Sequence, residues 1–472
     1  MRRVALATGG GALLALGFPP WSAPFLLPLG FALLVLALEG ARTREALVAG
    51  LCAGLAHYGA TLFWLPNLFG AAAVPLVAIL ALFTALFGAS FACASRRLWI
   101  VPLWVSAPIL WTGIEVYRSE WFVLRFGWSG LGYAMAACAV PLQAASVVGS
   151  YGLTFLIAAF GTALRSAWRR PTWRGPALVL YAVWCALCLA RPLQEKLPTR
   201  AAMVRLVQAS PEDEGALFGM SRLEPGVRPA FIVWPELALQ RDPRTDPRLW
   251  RRVEEVARSA RGAFVLGVKV PAGDSFRNTA LVLGPDGQVL GEHVKNHTVH
   301  FLRDGVPGTE ARAIETPAGR IGVAVCFDLD FPDVARRLVQ DGAEVILSPS
   351  YNPRLWGAAQ REQRRLLLRM RAVESRRWVA AADVGGSSVI VDPKGRDRWQ
   401  SRDDGVGRID GVIGLDDQRS RYVRWGWQFG PLCLVLALIL MAAVAVSAAR
   451  AEVARRHALA SPGAKGGQPD SI

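Results

Sequence analysis

Hydrophobic positions along this 472-residue chain fall into two textures. Before residue 191 they form seven long apolar runs, at 4–20, 23–40, 45–69, 72–95, 98–116, 141–164 and 176–190, and an eighth run covers 429–449. Runs of roughly 17–25 apolar residues match the length a helix needs to cross a bilayer. The first, ending in Phe18-Pro19-Pro20-Trp21, has the length of a signal peptide. A second run follows at once and no small-x-small cleavage site stands out, so it reads as an uncleaved span. Between 191 and 428 the runs become short and β-rich, interleaved with helical periodicity. Strands are predicted at 203–208, 231–235, 263–270, 277–283, 288–294, 311–316, 320–326, 344–349, 378–383 and 387–392, and helices at 247–261, 332–341 and 357–376. Pro285-Asp286-Gly287, Pro317-Ala318-Gly319 and Pro393-Lys394-Gly395 read as the turns between strands. Hairpins mixed with strand–helix–strand units predict an α/β sandwich large enough to bury its own core.

Composition agrees with a membrane chain. It is 53% hydrophobic, with 17 tryptophans and a formal charge of +16. The cations are spread between apolar stretches and form no block, which argues against nucleic acid as a partner. Arg2, Arg3, Arg42, Arg44, Arg96, Arg97, Arg165, Arg169, Arg170, Arg174, Arg450, Arg455 and Arg456 all fall on one side if there are eight crossings. That side is then cytoplasmic, and residues 191–428 lie outside the cytoplasm. The 116–140 loop, with Arg118, Glu120 and Arg125, reads as a partly embedded segment. Tryptophans 21, 64, 121, 128, 425 and 427 read as interface anchors. The predicted division is a seven-helix transmembrane domain at 1–191, an α/β domain at 197–420, a transmembrane helix at 427–449 and a disordered cytoplasmic tail at 450–472. Glu115 and His57 are among the few charged or titratable residues within the spans, which disfavours a transporter.

Six of the seven cysteines lie in or beside apolar runs, and no Cys/His cluster has zinc-ligand spacing. Cys326 alone falls in the soluble segment, at the end of Arg320-Ile321-Gly322-Val323-Ala324-Val325. It reads either as a small core residue or as a nucleophile at a strand-to-helix turn, with free amides to hold an oxyanion and a pKa lowered by the helix start. Glu236, after Trp234-Pro235, is either a solvated loop residue or a base. Lys295 is one of only five lysines among 53 basic residues. A compact ammonium fits an oxyanion where a planar guanidinium does not.

Taken in order, Trp-Pro-Glu236, Val-Lys295-Asn-His and Val-Cys326-Phe-Asp resemble the Glu-Lys-Cys triad of the nitrilase (carbon–nitrogen hydrolase) superfamily, with spacings of 59 and 31 residues. With seven spans upstream and one downstream, residues 4–449 resemble the apolipoprotein N-acyltransferases, integral membrane members of that superfamily. Phe63-Trp64-Leu65, Gly127-Trp128 with Leu131-Gly132-Tyr133, the segment Val148 to Phe155, and the segment Arg369 to Ser375 extend the resemblance. It implies an αββα nitrilase-like sandwich on the extracytoplasmic (periplasmic) face of a bacterial inner membrane. It also implies transfer of an acyl chain from a phospholipid, through a Cys326 thioester, to the N-terminal amine of a diacylglyceryl-cysteine lipoprotein, with no metal or cofactor. The alternative is a membrane-tethered amidase, or a diverged relative with reduced activity. Phe327, Asp328, Asp304 and Trp356 are the implied substrate-binding residues. This chain departs from the family pattern in several places: Arg303 replaces an accessory glutamate, with Asp304 one residue later. Phe327 replaces Tyr, Asp328 replaces Glu, Tyr351-Asn352-Pro353-Arg354-Leu355-Trp356 replaces an Asn-Asp-x-Trp segment, and the stretch from Gln208 to Trp234 is short.

Overall fold

The computed structural model describes residues 1–97, 101–190, 200–386, 388–401 and 405–460. Eight helices answer the eight apolar runs: α1 Arg2–Ala15, α2 Leu27–Leu38, α3 Thr43–Thr61, α4 Ala73–Arg97, α5 Leu103–Val116, α6 Ala145–Trp168, α7 Pro171–Leu189 and, at the far end, Phe429–Ala460. Among the described residues, four helical segments are long and apolar enough to cross a membrane: Pro66–Arg97, Pro141–Trp168, Pro171–Leu189 and Gly426–Val453. The first, second and fifth runs form helices of 14, 12 and 14 residues, about 21 Å or less at 1.5 Å per residue. α1 ends before Pro19-Pro20, α2 starts only after the 3-10 turn Pro24–Leu26, and α5 starts after Pro102 and runs on into the π-helical segment Tyr117–Trp121. The run at 45–69 breaks after Thr61, and its remainder forms the one-turn helix Pro66–Phe69. Small residues let the helices approach closely: a Cβ added at Gly11 would lie 2.1 Å from the Ala53 carbonyl oxygen.

Residues 450–460, read from composition as tail, continue the last helix, and residues 461–472 lie outside the described residues. So do the linker at 191–199, where the helical and α/β parts were divided, and the first residues of the 98–116 run.

Two six-stranded sheets follow. The strands are β1 Ala201–Gln208, β2 Phe231–Val233, β3 Ala263–Ala272, β4 Ser275–Leu283, β5 Val289–Val294, β6 Ile314–Thr316, β7 Gly319–Val323, β8 Val345–Pro349, β9 Val379–Ala382, β10 Val389–Val391, β11 Asp397–Gln400 and β12 Gly407–Gly414. One sheet runs β12-β1-β2-β3-β4-β5 and the other β11-β10-β9-β8-β7-β6. Each has three central parallel strands, β1-β2-β3 and β7-β8-β9, flanked by antiparallel ones. Val204, Leu206, Val233, Val265 and Val282 of the first sheet interleave with Ile321, Val323, Leu347 and Ile390 of the second. On the outer faces, helices α8 Glu214–Ser221 and α9 Pro247–Ser259 cover the first sheet, and α10 Pro332–Gln340 and α11 Ala358–Ser375 cover the second. The result is the αββα sandwich expected. Asp246 caps α9 by accepting from Arg248 N and Leu249 N, with Pro247 at the first helical position.

The two parts share one apolar core. Leu366, Leu367, Met370 and Val373 of α11 pack in the same cluster as Leu131, Ala134 and Leu153 of the helical part. Polar groups fix the register of this contact. Gly149 interrupts α6 at φ 69°, which glycine tolerates and which frees the Ser150 N–H to donate to Glu374 Oε1 at 2.7 Å. Glu374 is paired with Arg371, whose guanidinium also reaches the Tyr133 hydroxyl and, at 3.2 Å, the Leu329 carbonyl.

Candidate active site

Three strand ends deliver the predicted residues to one place. β2 ends at Val233, and the Trp234-Pro235 turn carries Glu236 beside β3, where Gly267 has no room for a side chain: its Cβ would sit 2.4 Å from the Pro235 carbonyl oxygen. β5 ends at Val294, immediately before Lys295. β7 ends at Val323, three residues before Cys326, which opens a 3-10 turn at φ 41°. Positive φ is strained for a residue with a side chain, and such strain recurs where a nucleophile is held on a sharp turn.

Lys295 Nζ donates to Glu236 Oε1 at 2.6 Å and lies 2.8 Å from Asp304 Oδ2. Asn278 Nδ2 bridges the two carboxylates, donating to Glu236 Oε1 at 2.7 Å and Asp304 Oδ1 at 2.9 Å. All four are buried. Burial pushes Glu236 up and the Asp304 charge adds to this, against the pull of Lys295. Burial works to lower the Lys295 ammonium, but the two carboxylates outweigh it and hold it above the usual lysine range. Burial also drives the Cys326 thiol well up, helped by Glu236 and opposed by Arg364 and Lys295. The sequence suggested a lowered thiol pKa. The turn is too enclosed for that, with Cys326 only 7% exposed.

Cys326 Sγ faces the Tyr351 carbonyl at 3.8 Å and Asn352 Nδ2 at 3.9 Å. Asn352 is fixed by Asp383, which accepts from its Nδ2 at 2.7 Å, and by Gln360, which donates to its Oδ1 at 2.8 Å. Arg364 donates to the Cys326 carbonyl at 2.6 Å and is paired with Asp330. Asp330 in turn accepts from the Trp128 indole at 2.5 Å.

The residues expected to bind substrate divide. Asp304, Phe327 and Trp356 line the cavity of about 190 Å³ that holds Glu236, Lys295 and Cys326. Asp328 does not. It is fully buried and accepts from the backbone amides of Val325, Asn296 and His297, each at 2.9 Å, and from His293 Nε2 at 2.8 Å. Burial alone would raise it, but these donors hold its carboxyl below the usual range. Asp328 therefore pins the lysine segment to the cysteine turn, and a residue with all its acceptor sites filled this way has none left for substrate. Arg303 is exposed at the cavity mouth beside Phe301 and Leu302.

The other wall of the cavity comes from the helical part: Trp64, Leu68, Phe69, Leu76, Leu124, Phe126 and Trp128. Trp64 and Trp128, expected as interface anchors, are instead buried with ring centroids 4.8 Å apart. Trp21, Trp121 and Trp425 are about half exposed or more. Asn278, Asn352, Arg364 and Asp330 went unseen in the sequence. One cue was present: Asn278 is in phase with Ala280 and Val282 on the core side of β4. A polar residue in that phase needs a buried partner.

Among the described residues no group of three or more His, Cys, Asp or Glu has the arrangement of a metal site. Residues 10–163 match the family model of the apolipoprotein N-acyltransferase N-terminal domain, and residues 228–403 match that of the carbon-nitrogen hydrolases. The apolipoprotein N-acyltransferase of Geobacter metallireducens is 28% identical over 93% of this chain and 94% of its own length. That of Gloeobacter violaceus is 24% identical over 92% and 93%. The crystal structure of Saccharomyces cerevisiae Nit3, a member of branch 10 of the nitrilase superfamily, aligns at 22% identity and a TM-score of 0.39, covering 51% of this chain and 98% of Nit3.

Proposed function

We infer, from the membership of this chain in the apolipoprotein N-acyltransferase family, that Glu236, Lys295 and Cys326 carry an acyl transfer between two lipids. The chain is a membrane acyltransferase acting on lipoproteins. The reading assigned to its site is as follows. Glu236 takes the Cys326 proton as the thiolate attacks the acyl ester of a phospholipid. The Lys295 ammonium neutralises the oxyanion that forms. On collapse the ester C–O bond breaks, the lysophospholipid oxygen recovers the proton from Glu236, and a thioester remains on Cys326. The N-terminal amine of a diacylglyceryl-cysteine then attacks the thioester. An amide forms, the C–S bond breaks, and the amine proton returns to sulfur through Glu236.

The observation that carries this reading is the composition of the cavity. The triad occupies one wall, and aromatic and aliphatic side chains of the helical part, mostly from its loops and the one-turn helix Pro66–Phe69, form the other. Such a site accepts an acyl chain from the bilayer side and excludes bulk water from the thioester. Burial suits the chemistry as well: a thiol with a raised pKa stays protonated until substrate reaches it, and a raised Glu236 is a better-matched base than an ordinary carboxylate. We place the sandwich on the periplasmic face, following the arginine distribution.

Phospholipid carrying a labelled acyl chain tests the proposal. Label should appear on the wild-type protein, be released by hydroxylamine, and be absent from Cys326→Ala. A peptide bearing diacylglyceryl-cysteine with a free amine should then take the label as an amide. Label recovered only as free fatty acid would make water the acceptor and the chain a hydrolase.

A further inference from the structure

Helix α7 stands off from the bundle. Of its 19 residues only Ala177 and Cys188 are buried. Two cavities fill the gap, one on each side of Ala177, with Leu164 and Arg165 common to both. One is walled by aliphatic side chains including Leu29, Leu33, Leu36 and Leu178. The other opens between Trp104 and Trp173, each more than half exposed, onto Arg165, Arg169 and Arg170. Neither shares a residue with the cavity around Cys326. Arg165 lies 15 residues along α6 from Ser150, which touches the sandwich, so the two sites are separated by about 22 Å.

The charge at this opening is unbalanced. Glu39 lies 3.2 Å from Arg165 and 3.1 Å from Arg169. Three guanidiniums thus face one carboxylate. Arg165 is only 9% exposed, yet its buried Nε has no hydrogen-bond partner. A buried donor left unpaired costs free energy, and here it lines both cavities. Excess positive charge at the end of an apolar groove between membrane helices, flanked by half-exposed tryptophans, matches an anionic headgroup above two acyl chains.

We propose that this groove is a second lipid site, holding one anionic diacyl phospholipid with its phosphate on Arg165, Arg169 and Arg170 and its chains on either side of Ala177. The lipid would complete the contact that α7 lacks and brace the helix that precedes the sandwich.

Native mass spectrometry of the full chain in detergent tests this, using ether-linked phosphatidylglycerol and ether-linked phosphatidylcholine, whose chains cannot be transferred. The wild-type protein should retain one phosphatidylglycerol at about tenfold lower lipid concentration than phosphatidylcholine. Arg169→Gln with Arg170→Gln should abolish the preference, and Arg165→Gln should do the same. The double variant changes residues outside the buried core and decides the matter should Arg165→Gln fail to fold. Inorganic phosphate at millimolar concentration should leave the bound lipid in place. Equal retention of the two lipids, a preference that survives the double variant, or displacement by phosphate alone would overturn the proposal.

Discussion

Lys295 sits between two buried carboxylates, and its geometry explains why the chain uses lysine there. The ammonium meets Glu236 and Asp304 at 2.6 and 2.8 Å in a space closed by Asn278. A guanidinium is planar and larger, so Lys295→Arg should displace both carboxylates and lose the oxyanion contact. Transfer should fall by about 10²–10³, the usual cost of one oxyanion donor. A steady-state assay giving near wild-type turnover would reduce Lys295 to a structural cation. Asp304 plays a different part. Its charge raises Glu236, so Asp304→Asn should let Glu236 ionise at lower pH. For a base that must be ionised, rate falls as pH falls through its pKa. The acid limb of the wild-type profile should therefore lie above the ordinary carboxylate range, near 4.3, and move down in Asp304→Asn with reduced turnover. Arg303→Ala, at the exposed mouth, should change the limb little. An unmoved limb in Asp304→Asn, or a larger effect from Arg303→Ala, would reverse these roles.

The elements that place these residues were unevenly legible. Turns built on Pro-x-Gly announced the β4–β5 and β6–β7 hairpins and the turn after β10, because proline and glycine set the backbone locally, but strand β11 beyond that turn was not foreseen. Strand β12 was not foreseen. Gly407–Gly414 holds three glycines, and its eight-residue ladder exists only through pairing with β1. Helix α8 was hidden in the same way by Gly215 and Gly219. The triad was readable because each member follows a strand. Arg364 and Asn352 were not, since their partners are brought close only by tertiary folding. The break in α6 belongs to this class. A Cβ at Gly149 would fall 2.4 Å from the Tyr422 ring, and φ 69° is itself unfavourable for alanine. Gly149→Ala should straighten the helix, withdraw the Ser150 amide from Glu374 and destabilise the junction by about 1–3 kcal/mol. A thermal midpoint in detergent equal to wild type would show that the break is not required.

At the scale of the whole molecule, the contacts separate the two ends of the bundle. At one end Arg3 lies 3.9 Å from Glu45, Arg96 donates to Thr43 Oγ1 at 3.0 Å, Arg97 to the Ser447 carbonyl at 3.1 Å, and Arg165 pairs with Glu39. At the other end Thr61, Ser150 and Tyr133 meet α11 and the sandwich. Arginines that are far apart in sequence therefore gather on the face opposite the cavity, as eight alternating passes require. Because translocation retains loops rich in arginine on the cytoplasmic side, this gathering favours a periplasmic sandwich. A periplasmic reporter fused after Gln418 should be active and one fused after Arg170 or Arg456 silent, with a cytoplasmic reporter giving the inverse pattern. The short helices α1, α2 and α5 make this more than a formality, since one pair of them dipping without crossing would leave the parity intact but a single one would invert it. A cytoplasmic signal at Gln418 would thus identify an even number of crossings before the sandwich and would put the triad on the side away from the lipoprotein amine.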